Sequence, residues 1–81
     1  MTTRFKFIHF NEVPNNSDKT TKWLCRNNKT EEILGTVQWY GPWRQYCFLP
    51  SPGYELVFSA GCLGDIEGFI ARLMEKWRND R

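Results

Sequence analysis

The segment from Ile33 to Pro50 alternates along two strands around a Gly41-Pro42 turn, and few structures other than a β-hairpin accommodate that pattern. Ile33 to Tyr40 reads as the first strand and Trp43 to Pro50 as the second. An even-numbered loop, centred on Gly41-Pro42 or on Pro42-Trp43, pairs odd positions of the first strand with even positions of the second. One face then carries Ile33, Gly35, Val37, Trp39, Tyr46 and Phe48, and is core. The other carries Leu34, Thr36, Gln38, Tyr40, Trp43, Gln45 and Cys47. Arg44 shares the parity of the core face but sits at the hairpin tip, where its guanidinium reaches water. An odd loop would set the core face of one strand against the solvent face of the other.

The rest of the chain extends this unit. Arg4 to Phe10 alternates loosely and predicts a strand with Phe5, Phe7 and His9 on one side and Lys6, Ile8 and Phe10 on the other. Asn11 to Lys19, with Pro14, predicts a polar loop. Thr20 to Asn27 predicts a strand with Trp23 and Cys25 inward and Lys22, Leu24 and Arg26 outward. Asn27 to Thr30 then turns the chain. After the Pro50-Ser51-Pro52-Gly53 turn, Tyr54 to Phe58 predicts a short strand.

Leu63, Ile66, Ile70, Leu73 and Trp77 recur at helical spacing, widened by Cys62 and Phe69, and predict one amphipathic helix. Ser59 or Gly64 supplies its N-cap, Asp65 and Glu67 suit its first turns, and Arg72, Lys76 and Arg78 suit its end. Gly68 offers a close approach to the sheet. The expected fold is α+β, an antiparallel sheet of three to five strands with one C-terminal helix packed on one face, in a single domain spanning 1–81.

Composition decides what can fill that core. Four Trp, three Tyr and six Phe in 81 residues supply enough ring area to stabilise a thin core without a metal or disulfide. Cys25, Cys47 and Cys62 are odd in number and unpaired in spacing, so they read as small buried hydrophobes in a reducing compartment, and no cofactor is expected. No apolar run is long enough for a membrane span, and the N-terminal residues lack an apolar leader core, which points to the cytoplasm. The formal charge of +2 is too small for a committed non-specific nucleic-acid binder. Between residues 33 and 54 the only charge is Arg44.

Catalysis finds little support. There is no phosphate loop or nucleophile elbow, and His9 is the one imidazole and reads as a packing residue. Glu31 and Glu32 read as solvated turn carboxylates. No enzyme is expected.

The sheet face that the helix leaves uncovered is more informative. Strand parity gathers Lys22 and Arg26 with Gln38, Tyr40, Trp43 and Gln45, with Arg44 at the tip. Two large rings, two amides and flanking cations match the anatomy of a protein interface, and a protein partner needs no basic surplus. The alternatives are a solvated face on which Tyr40 and Trp43 merely close the hairpin, stacking of single-stranded nucleic acid on the rings, and pairing of two copies.

The strings LGTVQWYGPWRQYCFLP (Leu34 to Pro50) and VFSAGCLGDIEGFI (Val57 to Ile70) resemble a pattern in small uncharacterised proteins encoded by phages and prophages. It consists of a Trp-Tyr pair, a Trp-Arg-x-Tyr segment, a Phe-x-Pro and a late Cys-Leu before the final helix. The resemblance covers about half the chain and carries no catalytic residue. It implies a mobile-element accessory protein in the host cytoplasm, binding and inhibiting a host or defence factor or handling nucleic acid. The order of sheet then helix also looks like the arm-binding domains of tyrosine integrases, but the middle strands here lack the clustered Arg and Lys such a DNA contact uses.

Overall fold

The computed structural model describes residues 1–81 except Asp18, Tyr54 and Arg81. Four strands, β1 (Ile8–Val13), β2 (Lys22–Asn27), β3 (Ile33–Tyr40) and β4 (Gln45–Pro50), precede one helix, α1 (Ala60–Asn79). The sheet is antiparallel throughout, in the order β1-β2-β3-β4. The helix packs across one face, so the fold is α+β.

The hairpin follows from its loop length. Tyr40 pairs with Gln45, Trp39 with Tyr46 and Val37 with Phe48, which places Pro42-Trp43 at the loop centre. The second strand therefore begins at Gln45 rather than Trp43, because Gly41–Trp43 forms a single 3-10 turn. Pro42 suits that turn, since its fixed φ fits and its missing N–H is not needed. Arg44 closes it at φ 52°, its N–H donating to the Gly41 carbonyl at 3.1 Å.

The expected strand Arg4 to Phe10 is broken by a reverse turn in which the Phe5 N–H donates to the Ile8 carbonyl, while the Phe10 N–H donates to the Thr3 carbonyl. Arg4 bridges to His9, and β1 runs on through Asn11, Glu12 and Val13, which were expected as loop. The reversal brings Phe5 edge-on to Phe10 at 5.9 Å, although strict alternation set them on opposite sides.

In β3, Cys25 pairs with Gly35 but Arg26 with Ile33, so Leu34 is an extra residue in a β-bulge. The bulge inverts the alternation before it. Leu34, expected on the outer face, joins the core at 8% exposure, and Ile33, expected inside, is exposed.

Residues 55–58 form no strand, and Tyr54 lies outside the described residues. Leu56 and Phe58 still pack on the core, Phe58 edge-on to Phe48 at 5.6 Å, so the alternation records a packing face without a partner strand.

The helix begins where Ser59 accepts the Cys62 N–H on Oγ at 3.1 Å, which satisfies an otherwise unpaired N-terminal donor. With Ser59 rather than Gly64 as the cap, Asp65 falls in the second turn of the helix. Ile66, Phe69 and Leu73 are buried, and Ile70 and Trp77 pack beside them. Leu63 was expected in the core but is 54% exposed, lying on the flank of the stripe in the first turn. Phe69 stacks on Phe10 at 4.0 Å and meets the edge of Trp23 at 5.2 Å, while Trp77 lies against Trp39 at 4.7 Å. A Cβ on Gly68 would meet open space; the close approach belongs to Gly35.

His9, on the other sheet face, is only 5% exposed because the N-terminal turn and the β2–β3 turn cover it. Asn28 ties these together: its Oδ1 lies 2.6 Å from His9 Nδ1 and accepts from Arg4 Nη1, and its Nδ2 donates to the Phe5 carbonyl at 2.7 Å. Glu31 reaches His9 Nε2 at 3.6 Å from a left-handed φ of 62°.

Burial pushes the Cys25 thiol up to about 12 from 9.0, with Cys62 a smaller contribution in the same direction. At pH 8 iodoacetamide is expected to alkylate Cys47 and Cys62, both partly exposed, and to spare Cys25 until the protein unfolds, as intact-mass spectrometry would show. The unfolded thiol ionises first as pH rises, so this group withdraws stability between about pH 9 and 12.

Candidate functional site

Both loops at the Tyr40 end of the sheet contribute to one surface. On the hairpin side, Tyr40 at the end of β3 points away from the helix, and the 3-10 turn lifts Trp43 beside it. Their rings meet edge to face at 5.1 Å and 81°. Trp43 is 66% exposed and Tyr40 38%. The pair does close the hairpin, yet most of the indole remains in water. A shallow hollow of about 180 Å³ continues from these rings over Cys47, Phe48 and Leu49.

On the other side of the tip a larger cleft, about 590 Å³, opens between the β1–β2 loop and the hairpin. Lys19 and Lys22 line it from one side and Arg44 from the other, with Gln38 between and the indoles of Trp39 and Trp77 against it. Among the described residues no carboxylate lines it and no ion pair engages these cations; the His9–Glu31 pair sits at the opposite end of the sheet. A smaller hollow on the helix side adjoins it, sharing Lys19, Thr20 and Trp77, and with Glu12, Lys76 and Asp80 is of mixed charge.

The loop that carries Lys19 is held by its own polar residues. Ser17 Oγ accepts from the Lys19 and Thr20 N–H groups at 3.1 and 3.3 Å, and Asn15 Nδ2 donates to the Thr20 carbonyl at 3.0 Å. At its base the Thr21 N–H donates to the Tyr46 hydroxyl at 3.0 Å. Tyr46 thus serves the core with its ring and anchors the cleft wall with its oxygen.

Six of the seven residues expected at the site come together here. Gln38 lies opposite Cys47 and Tyr40 opposite Gln45, and Lys22, Gln38 and Arg44 share the cleft. Arg26 does not join them: it lies four residues along β2 from Lys22, roughly 13 Å at strand rise, and donates from Nη1 to the Glu31 carbonyl at 3.0 Å. Lys19 was missed, because the β1–β2 loop reads only as turn chemistry until the sheet order brings it opposite the hairpin tip. Trp39 and Trp77 are explained by packing, yet both also reach the cleft.

Among the described residues no three His, Cys, Asp or Glu side chains gather in a way that could hold a metal ion, and no helix is long and apolar enough to cross a membrane. Fold and site together define an α+β chain with one helix on a four-stranded antiparallel sheet and an aromatic and cationic surface at one end. Comparison with protein-family models, curated proteins and solved structures finds no match.

Proposed function

We propose that this chain is a stoichiometric protein-binding module, not an enzyme, and that Trp43 is the anchor of its interface. The observation that carries this reading is the position of that indole. It is two-thirds exposed, braced edge-on by Tyr40, and mounted on a turn closed by a left-handed Arg44. A rigid, amphipathic ring loses little conformational freedom on binding, which is why Trp and Tyr dominate interface hot spots. Gln38 and Gln45 offer both donors and acceptors around the rings.

The phage-type pattern in Leu34–Pro50 and Val57–Ile70 gives this module a context. On that reading it is an accessory protein of a mobile element that occupies a surface of a host or defence factor in the host cytoplasm and inhibits it. Nucleic acid is the second reading, favoured by rings beside cations. It requires binding that weakens steeply with salt through counterion release.

Tagged protein incubated with host lysate at physiological salt is expected to retain a defined partner, identified by mass spectrometry. Trp43→Ala is expected to lose it, while Val57→Ala, which changes another exposed apolar side chain away from the site, retains it. Equal recovery by wild type and Trp43→Ala would remove the site assignment. Nuclease-sensitive recovery would transfer the function to nucleic acid.

A further inference from the structure

We propose that the cleft bounded by Lys19, Lys22 and Arg44 receives an acidic segment of the protein partner, a stretch of Asp or Glu side chains entering beside the Trp43 anchor. This inference rests on the protein-binding reading and names the chemistry of the partner.

The cleft holds three cationic side chains, from the β1–β2 loop, β2 and the hairpin tip, and no anion among the described residues that line it. Holding three like charges near one another is unfavourable in the unbound protein, and a carboxylate relieves it. Arg44 can engage a carboxylate with two parallel N–H donors, the lysines act as point charges, and Gln38 adds a neutral amide. Trp39 and Trp77 add apolar surface to the cleft, against which the methylene stems of an acidic segment can pack. A volume of about 590 Å³ admits several side chains rather than one small ion.

Charge distribution separates an acidic protein segment from nucleic acid. A strand of nucleic acid needs cations that continue along a groove to follow successive phosphates. Here they stop at the cleft: along the outer face the next positions are Leu24, Thr36, Cys47 and Leu49, and the Arg26 guanidinium donates to the Glu31 carbonyl. A compact cluster beside an exposed ring fits a short acidic run adjoining an apolar pocket on a protein surface.

Titration of the ¹⁵N-labelled protein at low salt with octaglutamate, octaglutamine and octathymidylate tests this. Octaglutamate is expected to shift the amides of Lys19, Lys22, Gln38 and Arg44 and the indole N–H groups of Trp39 and Trp77, and octaglutamine to shift none. K19Q/K22Q/R44Q is expected to weaken octaglutamate binding about tenfold, the cumulative effect of three partly exposed ion pairs. K6Q/K29Q/R72Q, with the same loss of charge elsewhere, and Trp43→Ala, which lies outside the cleft, are expected to bind it like wild type. Shifts spread evenly over Lys6, Lys29 and the cleft, or equal binding by the two triple variants, would overturn the inference. So would tighter binding of octathymidylate in the same cleft. If Trp43→Ala loses its lysate partner while K19Q/K22Q/R44Q keeps it, the acidic-segment inference fails and the binding module stands. If Trp43→Ala keeps the partner, the module reading itself fails.

Discussion

Phe69→Ala is expected to cost about 3–5 kcal/mol and, for a chain of this size, to lower the melting temperature by roughly 18–30 °C, as thermal circular dichroism would measure. Phe69 is fully buried at the centre of the helix stripe, stacked on Phe10 and met edge-on by Trp23. Removing its ring leaves a cavity whose walls come from β1, β2 and α1. Those walls are themselves large flat rings, which collapse poorly into a gap, so the upper half of the range is expected. Because domains of this size hold only about 5–15 kcal/mol of total stability, the variant stands close to unfolding at physiological temperature. A loss below about 1 kcal/mol would mean that the helix does not pack on the sheet through this residue.

Gly35→Ala is expected to destabilise by about 2–3 kcal/mol, or roughly 12–18 °C in melting temperature, although it adds a single methyl group. An added Cβ would stand 2.5 Å from the Leu49 carbonyl oxygen and 2.6 Å from the Phe48 ring. The ring can rotate away, but the carbonyl belongs to the backbone of β4 and moves only if the strand moves. Gly35 also follows the bulge at Leu34, so relief by sliding β3 would disturb the pairing of Val37 and Trp39. Denaturant unfolding of Gly35→Ala and wild type checks this; equal midpoints would place β4 farther from β3 than described.

The hairpin was legible in the sequence because parity across an even loop leaves one arrangement that buries Val37, Trp39, Tyr46 and Phe48 together. The helix was legible because Ser59 and a 3.6-residue stripe coincide. Where the reading failed, the missing information was not local. The turn at Phe5 to Ile8 contains no Gly, Pro, Asn or Asp, and a bulge such as that at Leu34 leaves the alternation looking intact while inverting it. Glu55 to Phe58 carries a strand pattern that no neighbouring strand uses. At the site, Tyr40, Trp43, Gln38 and Gln45 were gathered by parity alone. Lys19 entered only through the sheet order, which brings two loops far apart in sequence to one end of the sheet. Arg26 shares the face but not the place, a distinction of distance that parity cannot make.

The stability predictions and the interface prediction separate, since Trp43 is exposed and its edge-to-face pair with Tyr40 is worth about 0.5–1.5 kcal/mol, less than either core substitution is expected to cost. The central claim is that this exposed indole anchors a protein partner. Isothermal titration of the captured partner, once purified, with wild type and Trp43→Ala tests it most directly. One-to-one binding that weakens about 30-fold or more in the variant, with the fold retained by circular dichroism at the titration temperature, is the predicted result. Equal affinity of the two proteins would contradict it.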